Sequence, residues 1–229
     1  MEKLWICLFA IFLFIVANAA LRELQLEPED TKFDHLTFTQ FWAPEACRSI
    51  DPRCKFTNVS SDWTIHGLWP TMGNTHGPAH CTNESFNQSL LTADMLKFMD
   101  KYWITYVKYE PNPSFWEHEW IKHGTCAVDG DKTEFLNQKS YFQTTINLYN
   151  KYNISTILTK ANIKPGMSRP LDDFLNAFKT SEIGKTVRLD CNGVFLLDVE
   201  ICFNLSLQPI DCTSPTGCSS KKNVSYEPY

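Results

Sequence analysis

Eight cysteines behind an apolar leader constrain this chain more than any other feature. Of the nine in the sequence, Cys7 lies in the N-terminal segment. Cys47, Cys54, Cys81, Cys126, Cys191, Cys202, Cys212 and Cys218 follow it. Lys3, the apolar run from Leu4 to Ala17 and the small-x-small pattern Ala17-Asn18-Ala19 read as a signal peptide covering residues 1–19, with Ala20 as the mature N-terminus. The run is too short to span a bilayer, which disfavours an uncleaved anchor. An even cysteine count in a secreted chain implies four disulfides, although eight cysteines allow about 105 pairings and spacing alone does not choose among them. A zinc cluster would need close Cys-x-x-Cys pairs, and the sequence has none. Sequons at Asn58, Asn83, Asn87, Asn153, Asn204 and Asn223 fit the same secretory route, extracellular or to a lysosomal or vacuolar lumen.

The 229 residues suffice for one packed domain, expected over residues 20–229, with residues 20–32 as a loose polar tail. With 43% hydrophobic and 14% aromatic residues the chain reads as a globule. Its net charge of −5 excludes a broad positive field, so any polyanion must be held locally. In "HLTFTQFW", Leu36, Phe38, Gln40 and Trp42 share one face of a strand. "DWTIHGLWP" reads as a second strand, with Trp63 and Ile65 opposite Thr64 and His66, ended by Gly67 and Pro70. Helical spacing covers Ser89–Val107, Thr133–Tyr152 and Leu171–Ser181. Ser114 and Glu117 are placed as a capping box for a helix through His123. Asn192-Gly193 predicts a type I′ hairpin between two β-rich runs. Strands at both ends with helices between them imply an α+β fold, a mixed or antiparallel sheet packed by helices.

The chemistry concentrates in "FWEHEWIKHGTC", Phe115 to Cys126. At about 100° per residue, Lys122, Glu119 and His123 lie within about 140° of His118 on a helix wheel. One face thus offers a cation, a carboxylate and two imidazoles, while Trp120 and Ile121 fall outside the arc. Zinc proteases use H-E-x-x-H, whereas this run is H-E-x-x-x-H with a lysine inside it, which argues against a metal site. A solvated polar face is the other reading of the stretch taken alone.

The second histidine stretch, "WTIHGLWP", changes the balance. Together the two segments resemble the active-site segments of the ribonuclease T2 family, the secreted acid ribonucleases that include plant S-ribonucleases. "FDHLTFTQFWAPEAC" looks like that family's first strand and "LDCNGVFLLDVEICFNL" like its C-terminal strands, so the resemblance spans roughly Phe33 to Cys218. The resemblance implies RNA as substrate, cleaved by transphosphorylation through a 2′,3′-cyclic phosphate without cofactor or metal. By motif position His123 resembles the general base, His66 the general acid and His118 a phosphate-binding histidine. Glu119 and Lys122 resemble the pair that stabilises pentacoordinate phosphorus. Trp69, Phe115 and Gln40 are the implied substrate-binding residues. The implied disulfides are Cys47–Cys54, Cys81–Cys126, Cys202–Cys212 and Cys191–Cys218. Some members carry an acidic residue where this chain has Thr71, so base preference does not carry over. His35, His76 and His80 match no catalytic position. A monomer without a membrane partner is expected, with a glycan-dependent receptor left open. A secreted glycoprotein of the same fold that acts by binding is the rival reading.

Overall fold

The computed structural model describes residues 33–56, 59–75, 77–128, 135–213 and 216–228. The signal peptide, the N-terminal tail, Asn58 and His76 lie outside the described residues. Among the described residues, seven strands form one sheet: β1 His35–Trp42, β2 Trp63–Thr71, β3 Met167–Arg169, β4 Arg188–Asn192, β5 Phe195–Phe203, β6 Pro209–Ile210 and β7 Val224–Tyr226. The path runs β2-β1-β5-β7-β3, with β4 and β6 also pairing β5. Every pairing is antiparallel except the short β5–β7 contact. The fold is α+β, as expected.

Alternation decides which sheet face is core. Leu36, Phe38 and Trp42 on β1, Trp63 and Ile65 on β2, and Val199, Ile201 and Phe203 on β5 enter the main core. Helices Ala93–Tyr102, Gln138–Lys151, Ile154–Lys160 and Leu171–Lys179 add to it through Met95, Met99, Tyr141, Phe142, Ile157, Phe174 and Phe178. Thr92, Asn137 and Asn153 cap three of these helices by accepting from backbone N–H groups. A smaller cluster of Ala43, Ala46, Cys47, Cys54 and Tyr106 lies against Phe41 and Leu197, around helix Ala43–Ser49.

The four implied disulfides all form. Three local expectations need correction. Strand β2 continues through Gly67 and Pro70 to Thr71. The hairpin turn is Gly193-Val194, one residue later than expected. Asn192 pairs with Phe195, and of the two turn residues only Gly193 has positive φ, at 67°. That is the pattern of a type II′ turn, with glycine at the first central position. The expected capping box is absent, because the helix starts at Asn112 with Pro111 as its N-cap. Ser114 is already inside the first turn, its N–H bonded to the Pro111 carbonyl.

Candidate active site

His66 owes its position to a register shift. Thr39 pairs with Gly67 and Gln40 with Ile65, so His66 is the extra residue of a bulge in β2. A bulge re-aims the side chain it carries. The His66 ring stacks on Phe41, centroids 4.0 Å apart, and faces Phe115 at 6.0 Å. Its carbonyl accepts from Trp103 Nε1 at 2.9 Å. Two neighbouring β2 carbonyls are held similarly, Trp63 by Tyr149 Oη at 2.6 Å and Leu68 by Tyr141 Oη at 2.9 Å.

His123 comes from a second irregularity. Helix Asn112–Glu119 passes directly into a π turn, Trp120–Gly124, before Thr125–Val128 resumes α geometry. A π turn advances fewer degrees per residue than an α turn, roughly 80°. His123 therefore swings back toward the direction of His118, closer than an ideal helix wheel allows. The cause is visible in the bonding. The Ile121 carbonyl accepts from the Thr125 hydroxyl at 2.9 Å, and the Lys122 carbonyl from the His80 N–H at 3.0 Å. The neighbouring Cys81–Cys126 disulfide ties the His80 segment to the turn. Gly124 lets it pack, since a Cβ there would lie 2.4 Å from the Trp120 ring. Trp120 itself is core, and Ile121 packs at its edge.

Trp69 joins the two halves. Its ring lies 4.7 Å from His66 and 5.3 Å from His123, centroid to centroid. Its Nε1 donates to Glu119 Oε2 at 2.8 Å. Only 7% of Trp69 is exposed, so its visible work is to fix the histidines and the carboxyl in relation to one another. Gly67 makes this possible, because a Cβ there would sit 2.1 Å from Glu119 Oε2 and 2.3 Å from Trp69 Nε1. The space beside His66 that the glycine leaves is filled by these two side chains.

Electrostatics divide the roles. Burial pushes the Glu119 carboxyl up to about 8, although the Trp69 hydrogen bond and the Lys122 charge pull it down. Burial therefore biases Glu119 toward its protonated form. Partial burial, and next the Lys122 charge, lower the pKa of exposed His118, while Glu110 opposes the shift. Among the described residues, the acidic and imidazole groups whose ligand atoms converge within 4.8 Å are Asp190, Asp198 and Glu200, on β4 and β5. His118, Glu119 and His123 do not form such a set.

A cavity of about 390 Å³ opens beside His66 and His118. Phe41, Tyr106, Val107, Phe115, Leu197 and Glu110 are among its walls. Phe115 is thus placed at a pocket able to hold a flat ring. Gln40 is not. It is fully buried on the core face, with Nε2 donating to the Tyr152 carbonyl at 3.2 Å, so its expected substrate role is withdrawn. Thr71 is buried too, and its hydroxyl bonds to Thr37 Oγ1 and the Trp69 carbonyl. Sequence reasoning missed Phe41, Trp103 and Glu110. Phe41 left a signal, being an aromatic residue on the face of β1 that carries Thr37 and Thr39.

The sequence profile of the Ribonuclease T2 family matches residues 33–212, a span that contains both irregular histidine segments. The chain belongs to the Ribonuclease T2 family. It is 34% identical over 202 residues to Ribonuclease S-7 of Pyrus pyrifolia, covering 84% of this chain and 86% of that protein. Ribonuclease DdI of Dictyostelium discoideum is 34% identical over 200 residues, with 85% and 84% covered. Among solved structures, RNase NT in complex with 5′-AMP superposes with a TM-score of 0.73 at 26% identity, covering 86% of this chain and all of that one. The chain is therefore an endoribonuclease of the T2 type. Among the described residues, no helix of this ribonuclease is long and apolar enough to cross a membrane.

Proposed function

We propose that this ribonuclease is a secreted glycoprotein that cleaves single-stranded RNA by metal-independent acid–base transphosphorylation. The observation that carries the reading is Trp69, whose ring touches both His66 and His123 while its N–H holds Glu119. Two imidazoles so placed can act at the two ends of one phosphodiester. His123 takes the proton of the 2′-hydroxyl, whose oxygen attacks phosphorus. His66 gives a proton to the departing 5′-oxygen, and a 2′,3′-cyclic phosphate remains. The roles exchange in the slower hydrolysis of that ring. DNA lacks the nucleophile, so RNA selectivity needs no base reading.

Charge gathers on the phosphoryl oxygens in the transition state. Lys122 and His118 supply donors there, and protonated Glu119 supplies another. A buried carboxylate would repel the phosphate, so burial that keeps Glu119 neutral converts an unfavourable group into a useful one. The aromatic pocket beside His66 receives the base of the leaving nucleotide, because His66 serves the leaving oxygen. The exposed sequons Asn83, Asn87, Asn153 and Asn223 are open to glycan addition. The half-buried Asn204 donates from Nδ2 to Gln208 within a turn, making it the least suited of the five described.

His66→Phe and His123→Phe should each lower cleavage of RNA by about 10²–10⁴-fold with the fold retained. Wild-type activity should survive EDTA and yield cyclic-phosphate ends. Full activity in either folded variant would remove the assignment. RNA or receptor binding without cleavage at any pH would favour the binding-protein reading instead.

A further inference from the structure

Proposing that a base enters the pocket beside His66 leaves open which base it prefers. The walls are mostly indifferent. Phe41, Phe115, Tyr106 and Leu197 offer rings and methyls, on which any base can stack. Glu110 is different. It is an acidic side chain on the wall of an otherwise largely apolar cavity. Thr105 Oγ1 donates to its Oε2 at 2.9 Å, and the same Thr105 hydroxyl accepts from the Val107 N–H at 3.2 Å, so the carboxyl group is oriented. The backbone beneath it is fixed as well. Val107 bridges Cys54, the Lys108 N–H bonds to the Arg53 carbonyl, and the Glu110 N–H closes a turn onto Val107. That turn holds Tyr109 at a φ of 65°, a left-handed conformation unusual outside glycine. Glu110 interacts electrostatically with Lys55, which donates to Asn112 Oδ1, and with His118.

We infer that Glu110 makes this pocket selective for guanine on the 3′ side of the cleaved bond, an inference that rests on the ribonuclease reading above. A carboxylate only accepts hydrogen bonds, and its roughly four lone-pair sites let it serve Thr105 and a ligand together. Guanine presents two adjacent donors, N1–H and the N2 amino group, that match the two carboxylate oxygens. Adenine and cytosine present one amino donor beside an acceptor nitrogen. Uracil presents one N–H between two carbonyl oxygens, both repelled by the carboxylate. The ranking is therefore guanine first, adenine and cytosine next, and uracil last.

Initial rates on the dinucleoside phosphates UpG, UpA, UpC and UpU test this. Wild-type protein should favour UpG over UpU by roughly 10-fold or more, as a bidentate base contact discriminates. Glu110→Gln should bring that ratio within about 3-fold, mainly by slowing UpG. A change confined to folding would slow all four substrates equally. Competition by free 5′-GMP against 5′-UMP on the wild-type protein gives the same answer without any variant, and GMP should inhibit more strongly. Equal rates on UpG and UpU, an unchanged ratio in E110Q, or equal inhibition by the two nucleotides would overturn the assignment. Cleavage of none of the four by wild-type protein would instead sink the ribonuclease reading on which it rests.

Discussion

Two groups of carboxyls in this protein contain residues raised in pKa by burial but have different neighbours. In the active site a single group, Glu119, faces Trp69 Nε1 and the Lys122 charge, and burial pushes its pKa up to about 8. On β4 and β5, Asp190, Asp198 and Glu200 gather around one cation, Arg188. Arg188 pairs with Asp190 at 2.5 Å and with Glu200. Burial, then the charges of Asp190 and Glu200, push Asp198 well above the usual carboxylate range. Burial carries Glu200 up to about 7 despite its arginine. Each group closes against a glycine, Gly67 in one case and Gly217 in the other. The difference is what lies alongside. Glu119 shares Trp69 with two histidines, whereas the β4–β5 carboxyls have Arg188 and one another. The lesson is that a raised pKa marks burial in both places and does not by itself mark chemistry. The neighbours decide that.

The largest separation of the two groups should come from removing a carboxyl in each. Glu119→Ala is expected to lower turnover by about 10²–10³-fold, the usual loss for a donor to a charge-developing oxygen. Glu119→Gln, which keeps a neutral donor, should retain most of that activity, and Asp198→Asn all of it. Equal loss in E119A and E119Q would show that the charged carboxylate is the working form and would break the comparison.

The glycines sharpen it next. A Cβ at position 217 would meet Asp190 Oδ1 at 1.8 Å, a clash at least as tight as the one at Gly67. Gly67→Ala should depress kcat along with thermal stability. Gly217→Ala should cost about 1–3 kcal/mol of stability and leave kcat alone. Denaturant melts run beside steady-state kinetics would distinguish them, and a kcat loss in G217A would contradict the division.

The smallest effect is thermal and belongs to both groups. A carboxyl whose folded pKa is raised contributes stability that is full below its unfolded value and is lost as pH rises through the folded one. Glu200 moves from 4.5 to about 7 and Glu119 from 4.5 to about 8. Stability should therefore be highest on the acid side and fall by a few kcal/mol in total between about pH 4.5 and 8, carrying the melting temperature down with it. Asp198→Asn should flatten the slope. A melting temperature that rises across that window would refute the account.

Much of this was legible in the chain. Strand β1 is found with the boundaries that alternation assigns, and His66 and His123 stand out in their motifs. Alternation also put Gln40 on one face with Leu36 and Phe38, and that face is the core. The structure follows it there, against the substrate role that family resemblance suggested. What stayed hidden is irregular backbone. A bulge at His66 and a π turn before His123 break the periods of 2 and 3.6 on which sequence reading depends. Each is fixed by distant partners, the paired strand β1 and the His80 N–H, that no local pattern announces. The missing capping box has a similar cause. Asn112 is tied to Thr105 and Asp100, which starts the helix two residues before Ser114.

The three aromatic donors that hold β2 carbonyls have a consequence beyond the active site. Strand β2 is the terminal strand of its sheet path, paired on one side by β1. The outer edge of such a strand is a template onto which another chain can add. Tyr149, Trp103 and Tyr141 already occupy the carbonyls of Trp63, His66 and Leu68. The same contacts that steady the histidine thus engage three of the carbonyls an intruding strand would otherwise use, so this edge offers a poorer template for strand addition.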